Sequence, residues 1–91
     1  MSDLSRQFTI VNKRGLHARA SAKFVQLVES FDARVTVSKD GSSVGGTSIM
    51  GLMMLAASTG CCIDVVAEGP QATEALDALD ILISNKFGED A

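Results

Sequence analysis

A chain of 91 residues, 46% of them hydrophobic, can bury one modest core but cannot enclose a deep cleft between two lobes. The net charge of −3, the lack of Trp and Tyr, and a lone His with no clustered ligands exclude a basic aromatic RNA surface and a metal constellation. The most apolar run, Ile49 to Ala57, is far too short for a membrane span, and Met1 to Gln7 carry no apolar signal core. A cytoplasmic protein with no membrane and no nucleic-acid partner is expected.

Gln7 to Asn12 reads as a first strand, with Phe8, Ile10 and Asn12 on one face and Thr9 and Val11 on the other. Lys13-Arg14-Gly15 is a turn. Ala18 to Ser30 reads as a helix in which Ala20, Phe24, Leu27, Val28 and Phe31 form a buried stripe and Lys23, Gln26 and Glu29 face outward. Arg34 to Ser38 is a second strand. Asp40-Gly41 is a hairpin signal, leading to a short strand from Ser43 to Gly45. Thr47-Ser48 is a capping pair before a short apolar helix, Ile49 to Leu55.

Cys61 to Ala67 is a further strand. Its adjacent Cys61 and Cys62 point to opposite faces, which suits neither a disulfide nor a zinc site. Gly69-Pro70 is predicted to open the last helix, with Pro at its first position. Ala72, Ala75, Leu76, Leu79, Leu82 and Ile83 form its stripe, and Glu74, Asp77 and Asp80 its outer face. From Gly88 onward the chain is expected to fray. The order β-α-β-β-α-β-α predicts an α+β domain, a small antiparallel sheet with helices packed on one face. A single domain, 1–91, is expected, its body running from about Ser5 to Phe87.

Charge is unevenly distributed. Leu4 to Val28 hold five basic residues (Arg6, Lys13, Arg14, Arg19, Lys23) and no acid, whereas seven acids follow from Asp64 onward against one Lys86. The basic segment surrounds His17, which sits where a turn gives way to a helix. Free N–H groups and the dipole at such a junction favour an anion by roughly 0.3–1 kcal/mol. A largely neutral imidazole there is a competent nucleophile for a phosphoryl group. Arg19, two residues on, is placed to pair with the phosphate or the transition state, with Lys13 and Arg14 adding to the field.

The run Gly15-Leu16-His17-Ala18-Arg19-Ala20-Ser21-Ala22-Lys23-Phe24-Val25 resembles the active-site segment of HPr, the histidine phosphocarrier family of the bacterial phosphotransferase system. Thr47 to Leu55 resemble the same family's regulatory-serine segment, and the element order matches. The resemblance implies an open-faced β-sandwich, a four-stranded antiparallel sheet covered by three helices. It implies that His17 is phosphorylated on Nδ1 by phospho-Enzyme I, with phosphate from phosphoenolpyruvate, and passes the group to a IIA-type protein. Arg19 becomes the arginine of the active centre, no cofactor is needed, and the chain acts as a phosphoryl carrier rather than an enzyme. Many members have Pro where this chain has Ala20, which loosens the first helical turn.

Ser48 matches the serine modified by an HPr kinase/phosphorylase in some bacteria, and a phosphate is well tolerated at a helix start. Ile49, Met50 and Met53, with Ala20 and Lys23, are the expected partner-binding residues, Met being adaptable at docking surfaces. The carrier is expected to be a monomer. Ser30-Phe31-Asp32-Ala33, Met54-Leu55-Ala56 and the Phe87-Gly88-Glu89-Asp90 tail resemble the nitrogen-related branch of the family, NPr. Ser48-Ile49-Met50-Gly51 resembles sugar-transport HPr. A ferredoxin-like RNA- or ligand-binding module shares part of the element order, but the strands carry only Phe8 for stacking.

Overall fold

The computed structural model describes residues 4–90; Met1–Asp3 and Ala91, the ends of the expected domain, lie outside them. Alternating apolar residues make β1 (Leu4–Thr9), β2 (Arg34–Lys39) and β4 (Cys62–Glu68), while β3 (Ser42–Gly45), with only Val44 apolar, is held by its pairing with β2. Longer-period stripes make α1 (Ala18–Glu29), α2 (Ile49–Met54) and α3 (Ala72–Ser84), followed by a 3-10 turn, Lys86–Gly88. The strands pair antiparallel in the order β1-β4-β2-β3. β4 thus runs between β1 and β2, and both β1–β4 and β2–β4 are non-local pairings.

Register sorts the side chains. Phe8 lies opposite Ile63 and Val37 opposite Val65, and all four are buried. One residue away the face is polar, and Gln7 Nε2 donates to Asp64 Oδ1 at 3.4 Å. A slip of one residue in β4 would turn Ile63, Val65 and Ala67 outward, so burial fixes the pairing. The inner face carries the helices, α3 against β1 and β4 and α1 against α2 and α3. Phe24, Leu76 and Leu79 are almost wholly buried there. The other face is open, as expected for an α+β sandwich.

The predicted hairpin forms between β2 and β3. Asp40 and Gly41 both take positive φ (52° and 84°), the backbone of a two-residue turn that follows the strand twist.

Three expectations are corrected. The first strand runs Leu4–Thr9, not Gln7–Asn12. Ile10 still bonds Cys61 and Gly60, but Asn12 begins the turn to Gly15 and ends the ladder. The last helix starts at Ala72, two residues after Pro70. Gly69 closes a turn onto the α1–β2 connection, where Gln71 N donates to the Asp32 carbonyl at 3.0 Å, and this tie takes Pro70 out of the helix. The tail after Phe87 does not fray: Phe87 is fully buried, and Gly88 and Glu89 fold back toward α1.

Candidate functional site: a histidine at the start of helix α1

The loop before α1 is held from both sides. Gly15 has φ +66°, and a Cβ there would lie 2.3 Å from the Ala57 carbonyl oxygen, so the loop lies flush against the segment after α2. Leu16 N donates to that same carbonyl at 2.9 Å. Thr59 Oγ1 donates to the Lys13 carbonyl at 2.9 Å, and buried Ser21 Oγ to the Leu16 carbonyl at 3.1 Å. The loop therefore delivers His17 to a fixed place, the N-cap of α1, with extended backbone (φ −75°, ψ −177°).

The two ring nitrogens of His17 have different partners. Nδ1 accepts from the Arg19 backbone N–H at 3.3 Å, a long capping bond. Nε2 faces Glu89 Oε2 in hydrogen-bond contact. Both of these side chains are 17% exposed. Glu89 Oε1 accepts from Asn12 Nδ2 at 3.0 Å, and the same amide donates to the Gly15 carbonyl at 2.9 Å. Asn12 is fully buried, and its Oδ1 has no partner among the described residues.

A cleft of about 370 Å³ opens over this ring, lined by Lys13, Arg14, His17, Arg19, Lys23 and the Gly88–Asp90 tail. Four cations thus face two carboxylates, and the field is positive on the α1 side. Burial raises the Glu89 carboxyl pKa, but hydrogen bonds from Asn12 and His17 and the nearby charges of His17 and Arg14 outweigh it. The net effect holds Glu89 below the ordinary carboxylate value.

The tail reaches the cleft at a backbone cost. Lys86 and Phe87 both have left-handed φ (58° and 56°), each unfavourable by about 1–2 kcal/mol. Burying Phe87 returns about 1.5–3 kcal/mol, roughly cancelling that strain. The polar ties then hold the tail in place. They are Asn12 and His17 to Glu89, and Lys23 Nζ, which donates to the Phe87 carbonyl at 2.6 Å.

The sequence-selected residues divide in space. His17, Arg19, Lys13, Arg14 and Lys23 share the cleft. Ser48 caps α2, its Oγ accepting from Gly51 N at 3.0 Å, and it is exposed. Ile49, Met50 and Met53 are exposed beside it, as is Met54, which the sequence reading left out. Ala20 is not on the docking surface. It is fully buried in the α1 stripe, because its spacing to Phe24 sets it on the core face. Lys23 is half-buried with its ammonium on the tail.

Asn12 and Glu89 were missed. A polar Asn on a predicted apolar face is a signal for a hydrogen-bond hub. Phe87, the last residue of the expected domain body, is the buried anchor that carries Glu89, two residues on, back to the cleft.

An open-faced sandwich that offers one imidazole at a helix N-terminus, inside a cationic cleft, has the build of a histidine phosphocarrier. Residues 4–85 match the family model described as PTS HPr component phosphorylation site. The chain is 52% identical over 86 residues to Phosphocarrier protein HPr of Cupriavidus necator, covering 94% of this chain and 97% of that one. It is 42% identical over 89 residues to Phosphocarrier protein NPr of Shewanella violacea, covering 98% of each. The crystal structure of HPr-C-His from Thermoanaerobacter tengcongensis superposes with a TM-score of 0.89 at 43% identity, covering 100% of both chains. The chain belongs to the HPr family, whose members carry a phosphoryl group rather than catalyse turnover of a substrate.

Proposed function

We propose that His17 is the phosphoryl acceptor of this phosphocarrier. Its Nδ1 takes the group from phospho-Enzyme I, the phosphate originating in phosphoenolpyruvate, and hands it to a histidine of a IIA-type protein. The observation that carries this reading is the capping bond. The Nδ1 lone pair points at the Arg19 N–H of the first turn of α1. An incoming phosphoryl group meets that lone pair and the free amides together, so the phosphate oxygens inherit the cap as the Nδ1–P bond forms and the donor's N–P bond breaks. Arg19 pairs with the transferring phosphate, and Lys13 and Arg14 hold the cleft positive.

Exposed Ile49, Met50 and Met53 form the partner-docking surface, and Lys23 joins it from α1. Ser48 is a regulatory site for an HPr kinase/phosphorylase. A phosphate on its Oγ replaces the Gly51 cap and adds about −1.5 to −2 charge beside the docking residues. The working unit is a single-domain monomer of the cytoplasm, where its phosphoenolpyruvate-derived phosphate arises. Among the described residues no helix is long and apolar enough to cross a membrane.

Incubation with phosphoenolpyruvate and Enzyme I, followed by intact-mass measurement, tests the acceptor. Wild type gains one acid-labile phosphate and folded His17→Ala none; undiminished labelling of the variant refutes the assignment. Ser48→Asp is expected to weaken Enzyme I binding and slow transfer, and unchanged affinity and rate would leave Ser48 a cap alone. Relatives named HPr and NPr both match this chain. The IIA protein that takes the phosphate fastest therefore decides between the sugar-transport and nitrogen-related branches.

A further inference from the structure

Three of the chain's four methionines stand exposed on α2, and the docking reading uses their apolar surface but not their sulfur. Resting on that reading, we infer that Met50, Met53 and Met54 form a redox-modification site: a peroxide converts their thioethers to sulfoxides, which weakens docking of the phosphotransfer partner while the fold and His17 stay intact, and a thiol-dependent sulfoxide reductase restores it.

The helix places the three sulfurs together. Positions 50, 53 and 54 are spaced i, i+3 and i+4, so their side chains share one face. Met50 is 69% exposed, Met54 79% and Met53 40%. The other face packs: Leu52 is the buried residue of α2, and Gly51 lies so close that a Cβ there would meet Val44 Cβ at 2.9 Å. The bond from Leu16 N to the Ala57 carbonyl, just past the end of α2, holds this strip at a fixed offset from His17. The helix sequence, Ile-Met-Gly-Leu-Met-Met, holds no charged side chain, so apolar contact is what this face offers a partner. Oxidation removes that. A sulfoxide is polar and chiral, and its oxygen must shed water to enter an apolar interface. The fold is spared because no methionine belongs to the core among the described residues.

The step balances with a peroxide as oxidant. The sulfur lone pair attacks one peroxide oxygen, and the S–O bond forms as the O–O bond breaks. The departing hydroxide takes the proton of the transferred hydroxyl, leaving sulfoxide and water. Sulfur loses two electrons and the peroxide gains them. In the return step two thiols supply two electrons and two protons, giving thioether, disulfide and water. Neither His17 nor its phosphate takes part.

The test treats the whole protein with hydrogen peroxide and removes the reagent by gel filtration before Enzyme I is added. Dithiothreitol then reverses disulfides and sulfenic acids at the free Cys61 and Cys62 but leaves sulfoxides in place. Peptide mass fixes the sulfoxide content at each position, and circular dichroism checks the fold. Initial rates of transfer from Enzyme I are measured against carrier concentration. Oxidised wild type is expected to show KM raised about tenfold with kcat unchanged, the pattern of lost binding alone. Sulfoxide reductases with dithiothreitol should return KM to its starting value. The triple variant Met50→Leu, Met53→Leu, Met54→Leu keeps Met1 and both cysteines; whatever its own KM, that value should be the same before and after peroxide. An unchanged KM in wild type oxidised at all three positions, or an equal rise in the Leu variant, overturns the inference and leaves the docking reading standing. The unoxidised triple variant Met50→Gln, Met53→Gln, Met54→Gln probes that reading by itself: a wild-type KM there overturns docking at this strip and the inference with it.

Discussion

Replacing Gly15 by Ala tests whether the loop that delivers His17 depends on close backbone contact. Alanine at φ +66° carries a left-handed penalty of about 1–2 kcal/mol. Its Cβ would also sit 2.3 Å from the Ala57 carbonyl oxygen and 2.9 Å from Ser58 Cα. Relief requires the loop to retreat by about 1 Å to regain ordinary contact. That retreat breaks the bond from Leu16 N to Ala57 O, now 2.9 Å, for about 1 kcal/mol more. The total of about 2–3 kcal/mol lowers Tm by roughly 10–20 °C in a domain of this size. Gly41→Ala is the control: φ is +84° but nothing lies within 4 Å of the added Cβ, so only the backbone penalty of about 1–2 kcal/mol applies. Scanning calorimetry and urea melts of the two variants measure the difference. Phosphoryl acceptance should also drop by about 10²-fold in Gly15→Ala and not in Gly41→Ala, because a displacement of about 1 Å at a reacting group is that costly. Equal stability losses and equal transfer rates for the two variants would refute the reasoning.

Ser48→Ala should lose about 1 kcal/mol through the missing bond to Gly51 N, and Ser48→Asp should lose little, because Asp also caps; urea midpoints at constant m-value separate the two. Phe24→Ala, at a fully buried position where α1 meets the core, should cost about 3–5 kcal/mol, and a calorimetric loss below about 1.5 kcal/mol would contradict its place. Docking of the tail should depend on pH with a definite sign. Because the folded structure holds Glu89 below the ordinary carboxylate value, the docked tail contributes stability above that value and loses it as pH falls through the lowered one. Amide exchange at Gly88, whose N–H bonds the Asn85 carbonyl, should report the release, and the Glu89→Gln profile should lack this transition.

The local sequence determined most of the elements, because their causes are local. The stripe Ala20, Phe24, Val28 specified α1, Asp40-Gly41 specified its hairpin, and Ser48 marked the start of α2. Glycine, the lone histidine and the basic residues around it also sit within ten positions of one another, so the acceptor side of the cleft was legible. Leu27 and Phe31, placed in the buried stripe of α1, are only half-buried, since the stripe curves through Val25 and Ser21 instead. Pro70 has the right chemistry for a helix start, but a contact with Asp32 across the fold displaced that start to Ala72. The largest decision left to tertiary structure is the far wall of the cleft. Glu89 meets His17 across 72 positions and Asn12 across 77. Nothing in the spacing of a polar tail announces such a contact. It exists because Phe87 finds room in the core, and burying that ring brings the next carboxylate against the imidazole.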